Sequence, residues 1–488
     1  MHRRPFLADP CDSSRGLFIS GRANSVLSRA TEKSAKRKLL LVSLSLFAFF
    51  VALVNVAQQQ KSSPGGGARR LDIGLDGGNM GPASSQTPLV AHLVPHSHCD
   101  AGYKKTLMGY LETEVASILH NVVEALEADS SRRFLWSEAS YLTYWLQGEQ
   151  PDMRERFKAL VQRGQLEIVG GGWIMHDEAV THYKDQVSQM MVGHVEILRP
   201  LLGKDFKIRH GWQIDPFGQG AFTPTMMAKA GVEAWVTNRV PQKEQRKLDK
   251  NLQFVWRGNS DLPRVDTEVF THILDSHYES VDGFDWEKRG DPAPLVNATN
   301  VAERADIFVR ELAKRREWYL TKGNILVPFG QDFRFQDANL EFSNMDKIIA
   351  FVEANPGRWK HLGLPSVTLR YSNLNDYFDA LWTEAEREGV TFPERNQQQS
   401  SVLPLVDDYL HAWTGFYTGY PALKKAAREL SSLVSSAEAL HAAALLRGWQ
   451  GAGRPEMKRL VRAQKLLDKA RRTAGLLQVS PACAYACC

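Results

Sequence analysis

Cysteine is scarce in this chain: five in 488 residues, with Cys483, Cys487 and Cys488 crowded at the C-terminal end. That excludes a disulfide framework and leaves the redox compartment open. A dominant charge of one sign is also missing. Sixty Lys and Arg against 55 Asp and Glu leave a net +5, and several of the basic residues fall early in the chain, so no nucleic-acid surface is indicated. The length allows about three domains of ordinary globular composition. Charge is absent altogether from one stretch, Leu39 to Ala57, which is about as long as a bilayer core requires and follows the basic cluster Lys33, Lys36, Arg37 and Lys38. This predicts an uncleaved signal-anchor: the basic region is long for a cleaved signal peptide, and Asn55 sits poorly for cleavage after Ala57. The positive-inside rule then assigns residues 1–38 to the cytosol and all that follows 39–57 to the lumen, as a single-pass type II protein. Residues 58–88 are too poor in large apolar side chains to pack and read as a disordered stem. "NAT" at Asn297 is a weak glycosylation signal that this topology would expose.

What is abundant beyond the stem is alternation. The β-rich runs "PLVAHLV", "RFLWS", "LEIVGG", "FKIRHGWQI", "EAWVTN", "VFTHIL", "NILVPF" and "SVTLRYS" are separated by helical patterns such as "LETEVASILHNVVEAL". That is βα repetition, predicting an α/β domain with a parallel sheet or barrel. Several runs end in abrupt polar clusters, "HSHCDAGY", "GGGWIMHDEA", "DPFGQG" and "PFGQDFRF". Catalytic groups gather where parallel strands reach their C-terminal ends, so these clusters can face one cavity. From "DDYLHAW" to "RRTAGLL" the strand signal vanishes and Ala, Leu, Lys and Arg recur at helical spacing, predicting a helical bundle.

His98 and Asp100 are two apart, so in an extended segment both project from one face and can reach one ion, and His96 shares that face. A histidine with a carboxylate suits zinc or another borderline cation, with further ligands drawn from elsewhere. Asp215, before Pro216 and near Gly218, is either held at the mouth of the cavity or an Asx-type turn residue. Asp332 ends another apolar run, where a helix N-cap or a salt bridge with Arg334 is the alternative. Asp177 is either a group hydrogen-bonded behind the ligands or an ordinary cap. Tyr103, Trp173, Trp212, Trp256 and Trp413 offer aromatic faces to a sugar, though most tryptophans in such a chain are core. A metal, two separated carboxylates and aromatic walls are what glycoside cleavage can use.

Taken in order, "HSHCDAGY", "GGWIMHDEA", "GWQIDPFG", "PFGQDFRF" and "WTGFYTGYPALKK" resemble the successive signatures of glycoside hydrolase family 38, the class II α-mannosidases of Golgi and lysosomal type, over roughly residues 90 to 478. The resemblance implies a (β/α)7-type barrel-like catalytic domain over 89–395, a helical bundle over 396–478, and large C-terminal β domains in full-length members. It implies a retaining exo-α-mannosidase that carries one zinc ion and trims mannose from N-glycans in the secretory pathway. By the same resemblance His98, Asp100 and Asp215 hold the metal, Asp215 is also the nucleophile, and Asp332 is the acid/base. Tyr103, Arg239 and Trp413 line the substrate.

The departures are specific. Tyr103 stands where the family usually has Trp, Cys99 replaces an Asn, Gln219 a His and Gln331 an acid seen in Golgi members, while "ANLEFSNMDKII" looks more like lysosomal members. The anchor argues for the Golgi membrane, with the lysosome or secretory pathway at large as the alternative. Where the family continues into an HHD motif supplying a fourth zinc ligand, this chain reads "VSPACAYACC" over 479–488, an aberrant tail. The expectation is therefore a truncated, impaired form, poor in zinc and activity. Two competing readings are a non-catalytic glycan-binding product and another metal-dependent carbohydrate hydrolase or deacetylase.

Overall fold

The computed structural model describes residues 87–240, 251–396, 402–406, 411–448 and 454–478. The stretch Leu39 to Ala57 and the segments 1–38, 58–86 and 479–488 lie outside these, and among the described residues no helix is long and apolar enough to cross a membrane. By compactness the described chain divides into two units. One holds 87–438 and 465–478. The other holds 439–448 and 454–464, the end of the helix Pro421–Gly448 and the start of the helix Arg454–Leu476.

The larger unit is built on ten strands: β1 (Leu89–His98), β2 (Phe134–Trp136), β3 (Leu166–Ile168), β4 (His210–Gln213), β5 (Ala234–Thr237), β6 (Gln253–Arg257), β7 (Glu268–Ile273), β8 (Asn324–Asp332), β9 (Val367–Tyr371) and β10 (Glu394–Arg395). They form two sheets. The first runs β3-β2-β1-β8 with β9 also on β1, and the second β10-β6-β7-β5-β4. Every ladder is parallel except β6 on β7. The sheets meet at two seams. The Gly170 N–H, just past β3, donates to the His210 carbonyl of β4 at 2.9 Å, and the Ser280 N–H, past β7, donates to the Gly330 carbonyl of β8 at 2.8 Å. The α/β class expected from the sequence is therefore present, with a parallel sheet. The antiparallel β6 and the short β10 were not foreseen, because β6 borders the 241–250 segment and breaks the βα rhythm on which that reading rested.

Strand β1 is the hub. Its apolar run is buried on both faces, as expected of a parallel strand covered by helices. Its lower half, Leu89 to Leu93, pairs with β9, and near its top His96 pairs with Leu135 of β2. Pro95 lacks an N–H and would weaken a central strand, but it falls where β1 passes from one neighbour to the next. On its other side β1 pairs with β8 over nine successive residues, ending at His98 opposite Asp332. Helices close over the sheet through apolar stripes at helical spacing. Ala116–Ala128 buries Ile118, Leu119, Val122 and Leu126, and Ala338–Ala354 buries Phe342, Met345, Ile348 and Val352. Arg471, on the last helix, is buried and bonds Glu196 at 3.1 Å, Asp468 at 3.2 Å and Glu438, which fixes that helix turn within the larger unit.

Candidate active site

The parallel strands end on one face, and polar side chains collect there. His98 closes β1 and Asp100 follows two residues on. Asp215 lies two past β4, Arg239 two past β5, Tyr278 in the loop after β7, and Asp332 closes β8. His98, Asp100 and Asp215 are buried, and one ligand atom from each lies within 4.8 Å of the others. His98 Nε2 is 3.0 Å from Asp100 Oδ1 and 3.5 Å from Asp215 Oδ2. The donor set fits a first-row dication such as zinc, whose bonds of about 2 Å to His and carboxylate would span such a triad. Burial alone would pull the His98 imidazole down, but Asp100 and then Asp215 hold it well above its usual range. Burial raises Asp100, whereas Asp215 is lowered despite burial because His98 and Arg239 favour its anion.

Arg239 Nε donates to Asp215 Oδ1 at 2.6 Å, and its Nη2 bonds the same oxygen. One Asp215 oxygen is thus fixed by the guanidinium while the other faces His98. Arg239 adopts φ 50°, a left-handed conformation costly for a residue with a Cβ and commonest at functional sites. Its guanidinium lies 4.9 Å from the Phe217 ring, 5.2 Å from Trp413 and 5.8 Å from Tyr278. The Asp215 carboxylate therefore serves no Asx turn. Its loop is held by the Gln219 side-chain amide, which donates to Pro216 O at 3.2 Å and Asn238 O at 3.1 Å, and by a close approach at Gly218 (φ 95°), where a Cβ would come within 2.5 Å of Val402 O.

Asp332 joins this group through the β1–β8 register and through Tyr278, whose hydroxyl donates to Asp332 Oδ1 at 2.9 Å. Burial, then Asp215 and Asp332, pushes the Tyr278 hydroxyl well above its usual range, so it stays a donor. Neither alternative for Asp332 is realised: Arg334 pairs with Asp285 at 2.8 Å, and the next helix is capped by Asp337. His96 stands apart from the triad. Its Nε2 donates to Tyr278 O at 2.9 Å, and burial holds it down at about 3, hence neutral. Asp177 is a turn residue, accepting from the N–H groups of Ala179 at 3.1 Å and Val180 at 2.7 Å. Tyr103 is half-buried against the core, with Lys104 Nζ 4.8 Å from its ring. Trp173 and Trp256 are fully buried core.

Sequence reasoning missed Tyr278 and Glu178. "DSHYES" follows β7 directly, so the strand-end rule that picked out the other clusters could have found Tyr278. Glu178 is buried and lifted to about 8, mainly by burial, and accepts from Gly220 N at 2.8 Å, Thr223 Oγ1 at 2.6 Å and Gln213 Nε2 at 3.1 Å. It ties β4 to the far end of the Asp215 loop, a role visible only once the loops meet.

Glu341 lies behind the Asp332 loop. Its Oε1 accepts from the N–H groups of Trp286 at 3.0 Å and Glu287 at 2.9 Å, and burial, then Glu287 and Asp285, lifts it to about 8 from an ordinary 4.5. A carboxyl raised on folding takes up a proton between those two pH values, so it stabilises the fold at low pH, and that contribution is lost as pH rises through about 8. Glu341→Gln, which keeps the shape and the accepting oxygen, should therefore gain stability relative to the parent as pH rises from about 4.5 to 8, by at most about 1.4 kcal/mol per pH unit. Thermal midpoints of the two proteins across that range check it, and parallel curves would refute the assignment.

Residues 88–413 match the profile described as the glycosyl hydrolases family 38 N-terminal domain. Among curated proteins, the chain is 34% identical over 402 residues to an α-mannosidase B of Dictyostelium discoideum, covering 74% of this chain and 37% of that one. It is 32% identical over 425 residues to an α-mannosidase 2 of Rattus norvegicus, covering 80% and 35%. The chain thus spans little more than a third of the length of these relatives. Among solved structures, an α-mannosidase from Enterococcus faecalis V583 superposes with a TM-score of 0.52 at 17% identity, covering 79% of this chain and 42% of that one, which supports the fold.

Proposed function

Since the chain belongs to glycosyl hydrolase family 38, we propose that it is a zinc-dependent, retaining exo-α-mannosidase. The observation that carries this reading is the meeting of His98, Asp100 and Asp215 beside Asp332 at the C-terminal ends of the parallel strands. In the family picture these strands are the wall of a (β/α)7-type barrel.

His98, Asp100 and Asp215 would hold one zinc ion, which when bound supplies Lewis-acid orientation of the sugar hydroxyls. Asp215, kept anionic by Arg239 and His98, attacks the anomeric carbon. The glycosidic C–O bond breaks as Asp332 gives its proton to the leaving oxygen. Asp332, now a carboxylate, takes a proton from water, whose oxygen attacks the anomeric carbon and frees Asp215 with net retention. Tyr278, donating to Asp332 Oδ1, sets which carboxyl oxygen is free to carry that proton. Trp413 and Tyr103 would offer apolar faces to the mannose ring.

The substrates we propose are mannose-containing glycans, in keeping with the relative named α-mannosidase 2, and a lumenal catalytic domain would meet these as N-glycans of the secretory pathway. The uncharged stretch Leu39 to Ala57 would be the anchor in the Golgi membrane. The test is to express the full chain, measure zinc by mass spectrometry, and follow hydrolysis of an aryl α-mannoside by proton NMR. This reading expects bound zinc and initial release of α-mannose, where the expectation of an impaired form would give little of either. Release of β-mannose as first product, or turnover independent of chelation, would sink the proposal.

A further inference from the structure

The segment that follows Asp332 is held in an unfavourable shape from outside. Phe333 and Phe335 adopt φ 52° and φ 70°, left-handed conformations that are costly for an aromatic residue. Three sets of bonds restrain it. The Phe333 N–H donates to His98 O at 3.0 Å, tying the loop to β1. Arg334 makes a forked pair with Asp285, Nε at 2.8 and 2.9 Å from the two carboxylate oxygens and Nη2 at 2.8 Å from Oδ2, while its Nη1 donates to the Asp332 carbonyl at 3.2 Å. The Glu287 carboxylate accepts from the backbone N–H groups of Phe335 and Asp337. Asp337 in turn caps the helix Ala338–Ala354 through Leu340 N, and Glu341 on that helix holds the backbone of Trp286 and Glu287. The bonds form a closed circuit, from helix to the 285–287 segment to the 333–337 loop and back. Phe284, Trp286 and Phe335 are buried, so the circuit sits on packed core.

Such a circuit holds the backbone immediately after Asp332 without touching the ion-binding triad's side chains. We infer that Asp285, Arg334 and Glu287 are positioning residues that aim the Asp332 carboxyl for proton delivery to the leaving group. This rests on the assignment of Asp332 as proton donor. Loosening the circuit leaves Asp215, Arg239 and the metal ligands in place, so the loss falls on the proton-transfer half of the first step.

Leaving-group dependence reads this directly, because a merely structural defect lowers all substrates alike. In the full-length protein, Asp285→Asn should lower kcat/KM about 10- to 100-fold on methyl α-mannoside, which needs protonation to depart, and by less than about threefold on 2,4-dinitrophenyl α-mannoside, which does not. Bound zinc should stay at the parental level. Should Asp285→Asn fail to fold, Arg334→Lys, which keeps the charge and loses the fork, should show the same split. Equal losses on both substrates, or no loss on either, would overturn the inference. Asp332→Asn run alongside separates the two claims: if it shows a steep split and the clamp variants do not, the clamp alone is wrong, and if it shows none, the assignment of Asp332 is what fails.

Discussion

Asp215→Asn should lower turnover by about four orders of magnitude or more and release the metal from the same protein. Asparagine keeps the side-chain shape but not the charge, and this position is asked for charge twice. Its Oδ1 receives two bonds from Arg239, and its other oxygen faces His98 at 3.5 Å. The amide is a poor nucleophile and a weak metal ligand, and whichever way it turns, its NH2 meets either the guanidinium or the imidazole. Arg239, half-buried and strained at φ 50°, is then left without its carboxylate. The measurement is zinc content by mass spectrometry beside hydrolysis of 4-nitrophenyl α-mannoside, with folding checked by the thermal midpoint. A variant keeping a tenth of the parental rate would remove Asp215 from the chemistry, and full zinc would remove it from the ligand set.

The largest effect on folding is expected at Gly330→Ala. Gly330 lies two residues before Asp332, at φ 152°, paired across the β1–β8 ladder with His96. A Cβ there would stand 1.9 Å from the His96 carbonyl oxygen and 2.9 Å from its carbon. Both are backbone atoms in the central ladder, and Gly330 is also bonded on both its N–H and its C=O to Ser280 at the seam with the other sheet. No flexible side chain can absorb the overlap, so the strand must shift and the seam open, a loss of about 4 kcal/mol or more. Gly148→Ala is the control, since its Cβ meets nothing within 4 Å and it lies at the end of a helix. Scanning calorimetry or recovery of soluble protein should show a near-neutral control beside a severely destabilised Gly330→Ala. Equal stability of the two would show that the register around Gly330 is softer than its bonds suggest.

How much of this was legible beforehand follows from what each feature depends on. His98 and Asp100 could be paired on paper because a strand's alternation is local, and Asp215 and Asp332 could be suspected because strand ends carry polar clusters. The α/β class followed from the same alternation. That His96 turns away was not legible, because its Nε2 is engaged by the carbonyl of Tyr278, a residue 182 positions away. The same is true of Arg334, whose nearest carboxylate in sequence is Asp332 but whose partner is Asp285, 49 positions back. Glu178, Glu287 and Glu341 were invisible because nothing in their flanking residues marks them as buried. Their chemistry comes from loops that meet only when the strands of both sheets have been placed side by side. The antiparallel β6 was missed for a different reason: a reading that counts βα units has no place for a strand that runs backwards.

The β1–β8 ladder has a consequence for how the protein is made. His98 and Asp332 are adjacent in space, yet 234 residues separate them in the chain. At a synthesis rate of about 5–20 residues per second, β1 waits roughly 12–47 s after it has been made before β8 exists. During that interval its buried run, Leu89 to Val94, has neither β8 nor β9 to pair with, and an unpaired apolar strand is what holdase chaperones bind and what aggregates on overexpression. Arrested nascent chains ending before Asn324 should therefore be protease-sensitive around β1 even when β2 and β3 are complete, so His98 and Asp100, the first of the polar cluster to be translated, are among the last to be enclosed.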